Sequence, residues 1–303
     1  MPLSSSSARA VIDLGTNTFH LLGVRIDAQG KLHELLRKRR FVYLASDGIE
    51  HIGQAAFQRA VDTIQEFAEA LTDAGITQVR ALGTAALRTA DNGRELVQAI
   101  AERTGIQTEL IDGREEARLI HRGVTAAVPA LEDTGLIMDI GGGSVEFILA
   151  NEQRVIWAES YPIGIAVLRK RFHHSDPLTQ EEELALRQFL RTALQPLAQQ
   201  LDHRPAKLLL GASGTFDVIG NLLPTTRSGT HFRRVAVEEI HPFINRIRRS
   251  SLQHRLHGSG LPKERAELIV VALILLEEVL RLSPFTAVEV SDYAMKEGAL
   301  LEM

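Results

Sequence analysis

Apolar residues in this chain gather in short runs, separated by longer stretches with helical spacing. The runs predict strands near residues 10–15, 19–27 and 31–44, and at Gln78–Thr84 and Gln107–Asp112. The longer stretches predict helices over Gln54–Ala74, near 93–104 and over Arg114–Ala127. Val128–Gly135, VPALEDTG, mixes proline, small residues and charge, and reads as a linker. After it the scheme restarts, with strands near 135–140, 145–150 and 154–160, then helices, a strand at Lys207–Ser213, more helices and a last strand at Ala287–Asp292. The longest apolar run, Leu268–Leu276, is too short to span a bilayer and reads as the central buried helix of the second half. These elements predict an α/β protein in two similar halves, 10–127 and 128–303, after a disordered tail over 1–9. The last helix is expected to pack back on the first half, and a ligand cleft is expected between the halves.

The restart carries a repeated motif. MDIGGGSVEFIL, Met138–Leu149, joins two apolar runs through three glycines, and a hairpin with Gly142-Gly143 at its tip places Ile140 opposite Val145 and Asp139 opposite Glu146. That tip predicts a positive φ at Gly142. Like charges in direct cross-strand contact repel, so the pair calls for a cation, and a hard ion such as Mg²⁺ suits two carboxylates. IDLGTNTFHLL, Ile12–Leu22, repeats the pattern: Asp13 matches Asp139, Gly15 matches Gly141, Thr18 matches Ser144, and His20 stands in the place of Glu146. One such hairpin is a common composition, whereas two at the starts of two successive βββαβα patterns indicate duplication.

Composition narrows the picture. A chain of 303 residues with 45% hydrophobic content supports two folded domains. A formal net charge of −4 argues against general nucleic-acid binding. The absence of cysteine excludes disulfides and thiolate metal sites and fits a cytoplasmic protein. The N-terminus, MPLSSSSARA, lacks the apolar core of a secretory signal, and no membrane association is expected.

The segments VIDLGTNTFHLL, ALGTAALRTADNG, IDGREEARLI, MDIGGGSVEF, GASGTFD and VSDYAMKEGAL, in this order from residue 11 to 301, resemble the exopolyphosphatase and guanosine pentaphosphate phosphohydrolase family. That family lies within the actin, sugar kinase and Hsp70 ATPase superfamily. The resemblance implies two ribonuclease H-like (actin-like ATPase) domains with a cleft between them, in the short form without added helical C-terminal domains. Two positions depart from the family pattern: Val145, where many members have threonine, and Tyr293, where glycine is common. The implied activity is hydrolysis of the terminal phosphate of inorganic polyphosphate by an activated water with Mg²⁺, or Mn²⁺ in its place. Guanosine pentaphosphate is the alternative substrate. The expected partners are therefore these polyanions, with a homodimer as the assembly.

Such chemistry needs a base, a counter-charge for phosphate oxygens and a grip on the chain. Asp112 and Glu115 have capping-box spacing, which leaves Glu116 for chemistry; the resemblance likewise implies the catalytic carboxylate there. Asp139 and Glu146 are the candidate metal ligands, with Asp13 as a water-mediated contributor. The alternative for Asp139 is an Asx-type cap of the glycine turn. Phosphate is expected at the amides of Gly15, Thr16, Asn17, Gly141, Gly142 and Gly143, and at the hydroxyls of Thr18 and Ser144. A third oxyanion position is expected at Gly211, Ser213, Gly214 and Thr215, where a strand meets a helix start. Arg88 is the candidate for a bidentate phosphate contact. The basic runs at 37–40, 169–174 and 246–257 read first as solvated faces, with the third the best placed to meet polyphosphate. A superfamily kinase would use an aspartate base toward a hydroxyl substrate, and a nucleotide-sensing module would need only the loops. The helix-borne Glu116 and the lack of a sugar-binding insertion argue against the kinase, and dependence of phosphate release on Glu116 separates the sensing module from a hydrolase.

Overall fold

The structure, a computed structural model, describes residues 8–29, 31–128, 134–151 and 153–303. The expected tail and linker therefore lie largely outside the described residues. The chain divides into two compact units, Met1–Gly123 with Met295–Met303, and Val124–Ala294.

The first unit contains strands β1 (Arg9–Leu14), β2 (Thr18–Ile26) and β3 (Leu32–Phe41), helix α1 (Gln54–Asp73), strand β4 (Gln78–Gly83), helices α2 (Ala85–Thr89) and α3 (Gly93–Thr104), and strand β5 (Thr108–Leu110). Helix α4 (Gly113–Ala127) follows and contains the unit boundary. The sheet order is β3-β2-β1-β4-β5, with the first three strands an antiparallel meander and the last two added in parallel. Ile12, Leu14, Phe19 and Leu21 meet Ile64 and Phe67 of α1 in its core. Burial of each such side chain contributes about 1.5–3 kcal/mol.

The second unit contains β6 (Gly135–Ile140), β7 (Val145–Ala150), β8 (Val155–Tyr161), α5 (Ile165–Phe172), α6 (Gln180–Ala193), α7 (Gln195–His203), β9 (Leu208–Ala212) and α8 (Gly214–Leu222). Then come β10 (Arg227–Ser228), β11 (Phe232–Ala236), α9 (Val237–Arg248), α10 (Leu252–His257), a 3₁₀ turn at Lys263–Arg265, α11 (Ile269–Leu280) and β12 (Ala287–Ser291). Its sheet runs β10-β11-β12-β9-β6-β7-β8. The segment β8-β7-β6-β9-β12 repeats the pairing of the first sheet, antiparallel meander and then two parallel strands, as duplication requires. Helix α11 is buried along its whole length and includes most of the expected central helix. It ends in two buried acids, Glu277 and Glu278, which are neutralised by Arg187 of α6, and Arg281 pairs with both. Buried acids without such partners would be strongly destabilising. Last, α12 (Met295–Leu300) packs against β1 in the first unit.

Three expectations about elements need correction. Strand β3 stops at Phe41, because the next three amides turn inward to other acceptors. Helix α2 and the pair β10-β11 are absent from the sequence reading; each is too short to show a period. Among the described residues, the glycines with positive φ are Gly48, Gly75, Gly105 and Gly260, so Gly142 does not adopt the expected conformation.

Candidate active site

The hairpin register is the one the glycines predict, with Asp139 opposite Glu146 and Ile140 opposite Val145. Backbone approach, rather than positive φ, explains the glycines. A Cβ on Gly141 would lie 2.8 Å from the Ser144 carbonyl oxygen, and a Cβ on Gly15 would lie 2.9 Å from that of Thr18. The Gly141 amide donates to the Ser144 carbonyl at 3.0 Å. The carbonyls of Gly141, Gly142 and Gly143 then accept from the amides of Ile165, Ala166 and Gly164 at 3.0, 2.9 and 3.1 Å. Thus the turn caps the start of α5, whose N-cap, Gly164, has no capping side chain. A trans peptide directs its N–H away from its carbonyl, so the amides of Gly142, Gly143 and Ser144 point away from α5. Three consecutive outward amides make a concavity suited to an anion.

The first unit repeats the device with a different donor. The Asn17 carbonyl accepts from the amides of Val42 and Tyr43 at 2.9 and 3.0 Å, and the Thr16 carbonyl accepts from Leu44 at 2.8 Å. The amides of Asn17 and Thr18 are thereby turned outward. A third loop joins β9 to α8. There Ser213 has φ +72° and ψ 177°, a region that costs a non-glycine residue about 1–3 kcal/mol. Its hydroxyl donates a short hydrogen bond to Oδ1 of Asp139. The Arg265 guanidinium lies against Gly214 and fills the space where a Cβ would stand.

Asp139 and Glu146 are both buried. Glu146 Oε1 accepts from the Ser160 hydroxyl at 2.7 Å, and Ser160 is its cross-strand partner on β8. Two adjacent oxygen-only donors, each oriented by a serine, fit a hard divalent cation. Among the described residues no three His, Cys, Asp or Glu side chains gather to hold a metal, so such an ion would rely on water and phosphate oxygens for its other ligands. Asp13 lies opposite His20 in the first unit, and Lys296 of α12 interacts with it electrostatically. Burial opposes the Lys296 charge, but Glu297, 3.3 Å away, and Asp13 outweigh it and hold the ammonium above its ordinary pKa.

Glu116 lies in the first turn of α4 and is buried. Asp112 caps this helix by accepting from the Glu115 amide at 2.8 Å. The reciprocal half of the expected capping box is replaced: the Glu115 carboxylate takes two 2.8 Å bonds from Arg118, which hold its pKa below the ordinary value. A reciprocal box does form at α6, between Thr179 and Glu182. Arg88 Nη1 donates to the Ile111 carbonyl at 2.6 Å and lies 3.5 Å from Glu116 Oε2. The basic runs are largely tied up locally. Lys38 and Arg40 bind Glu66, Arg171 lies over Phe172 and Phe189, and Arg248 pairs with Glu183. Arg255 is buried against the Ser250 and Ala266 carbonyls, which weakens the case for the third run as a polyphosphate surface. Sequence reasoning missed Lys296, Ser160 and Arg265. Only Lys296 lay in a quoted motif, VSDYAMKEGAL, and all three acquire partners distant in sequence.

The sequence profile of the Ppx/GppA phosphatase family matches residues 24–303. The chain belongs to this family. Its members' actin-like fold in two α/β units is the fold described above, and Ppx/GppA membership makes the chain a hydrolase of phosphoric anhydrides. An exopolyphosphatase from Cytophaga hutchinsonii is 34% identical, with a TM-score of 0.91 over 98% of both chains. The Aquifex aeolicus Ppx/GppA protein is 23% identical, with a TM-score of 0.80 over 98% of this chain and 97% of that one, a likeness of fold. Within this Ppx/GppA chain the two departures are locally accommodated. Val145 is fully buried between Ile140 and Tyr161, and Tyr293 stacks on His231 with centroids 4.4 Å apart.

Proposed function

We propose that the protein removes the terminal phosphate of inorganic polyphosphate. The observation that carries this reading is the buried Asp139–Glu146 pair beside three outward glycine-turn amides, a cation position next to an anion position. Support for polyphosphate over other anhydrides comes from the 34% identity to an exopolyphosphatase. Glu116 accepts a proton from water as the water oxygen bonds to the terminal phosphorus. The bridging P–O bond breaks, and orthophosphate and a chain shorter by one phosphate leave. Arg88, fixed by the Ile111 carbonyl, orients Glu116 and offers charge to phosphate oxygens. The amides of Gly142, Gly143 and Ser144 bind phosphate oxygens at the one turn, and those of Asn17 and Thr18 offer the same kind of contact at the other. Magnesium, held by Asp139 and Glu146, would neutralise charge on the transferred group.

A cytoplasmic, homodimeric enzyme belongs to this reading; no described helix is long and apolar enough to cross a membrane. The test is phosphate release from long-chain polyphosphate and from guanosine pentaphosphate, each with and without Mg²⁺. Magnesium-dependent release from polyphosphate is expected. No release from polyphosphate under any condition would overturn the proposal.

A further inference from the structure

Ser213 occupies the N-cap of α8, where a serine hydroxyl ordinarily accepts from the helix's own free amides. Its side chain makes no such bond. Its carbonyl still opens the helix, accepting from the amides of Phe216 and Asp217 at 3.0 and 3.2 Å, so α8 starts normally while the hydroxyl is turned elsewhere. That turning needs the φ of +72°, in place of the extended backbone usual at an N-cap. Strained backbone persists where its surroundings over-determine it, and here both ends of the loop are closed. A Cβ on Gly211 would fall 2.0 Å from the ring of Phe216, and one on Gly214 would fall 1.7 Å from the Arg265 guanidinium. Ala212 pairs with Asp139 across the parallel strands β9 and β6, so the next hydroxyl reaches Asp139 Oδ1. A serine carries one hydroxyl proton, and this one is committed to a carboxylate, which leaves none for a phosphate oxygen.

We infer that Ser213 is a positioning residue for the cation: the strained loop diverts its hydroxyl from capping α8 to hold the Asp139 carboxylate beside Glu146. This assignment rests on the metal reading of that pair. Two buried like charges repel, and a side chain free to rotate would swing Asp139 away from Glu146 whenever no cation lies between them. The bond from Ser213 removes that rotation. Ser160 does the same for Glu146 from within β8, so an arriving ion finds both carboxylates in place and pays no ordering cost.

The test compares the full-length chain with its Ser213→Ala and Ser213→Gly variants. Alanine removes the hydroxyl and keeps the unfavourable backbone, whereas glycine removes the hydroxyl and relieves the backbone. Binding of Mn²⁺ alone is followed by electron paramagnetic resonance of the free ion, and stability by metal-free calorimetric melts. Both variants should bind Mn²⁺ about 10-fold or more weakly than the wild type, and to a similar extent. The glycine variant should nevertheless melt about 2–12 °C above the alanine variant. Metal affinity would then follow the hydroxyl while stability follows the backbone, a split that a purely structural serine does not produce. Wild-type affinity in the glycine variant alone would make loop shape the cause and overturn the inference, as would wild-type affinity in both. Equal melting temperatures of the two variants would remove the strain on which it stands. Failure of the wild type to bind Mn²⁺ overturns the metal reading and the inference with it.

Discussion

Gly164→Ala tests whether α5 fixes the glycine turn. A Cβ at this position would fall inside the carbonyl groups of Gly142 and Gly143, and these are backbone atoms that cannot swing aside. The turn and the helix start would have to separate, which strains or breaks the three bonds of 3.1, 3.0 and 2.9 Å from Gly164, Ile165 and Ala166. At about 1 kcal/mol net for each bond, the loss is about 3 kcal/mol. For a unit of this size that corresponds to a fall of about 6–12 °C in Tm. Separation would also tilt the outward amides, so KM for polyphosphate should rise even in molecules that remain folded. Scanning calorimetry gives the first quantity and steady-state phosphate release the second. A Gly164→Ala protein with unchanged Tm and unchanged KM would refute the view that helix capping orients the turn.

Three further outcomes are expected. Glu116→Gln should lower kcat by ~10²-fold or more with polyphosphate binding retained, as measured by phosphate release and calorimetry; an unchanged kcat would remove it as the base. Mg²⁺ should raise Tm in the wild type, and Asp139→Asn should blunt the rise, as read by melts across a magnesium titration. Burial, followed by the charges of Arg169 and Arg255, depresses His173 to about 4 from 6.5. The folded state therefore resists protonation: the stability from this residue is full above pH 6.5 and is lost as pH falls toward 4, by about 3 kcal/mol in total. Urea melts across that range should show the slope, and His173→Gln should flatten it.

The hairpin register could be read from sequence because three glycines admit few tips, and a fixed tip fixes every pair beyond it. Duplication was visible for a similar reason, since a meander followed by two parallel strands repeats both its runs and its turn motif. The apolar run that became α11 needed only its length and composition. Other features depend on contacts that sequence distance conceals. Gly164 looks like an ordinary helix start until its approach to Gly142 is known, and Lys296 gains a role only because α12 packs on β1. The positive φ expected at Gly142 failed because the turn binds α5 through its carbonyls, a constraint absent from an isolated hairpin. Ser213 shows the limit from the other side: its backbone is in a glycine-like conformation, and only the hydroxyl's bond to Asp139 accounts for a serine there.

The two-sided bonding of the glycine turn also links ligand binding to the rigidity of a helix. Each peptide from Gly141 to Ser144 has its carbonyl end on α5 and its amide end outward, so its dipole lies in series with those of the helix. An anion drawing on the amide ends polarises these units and strengthens their pull on Gly164, Ile165 and Ala166. Bound phosphate should thus slow hydrogen exchange at three amides it never touches, and the first turn of α5 becomes an internal reporter of occupancy.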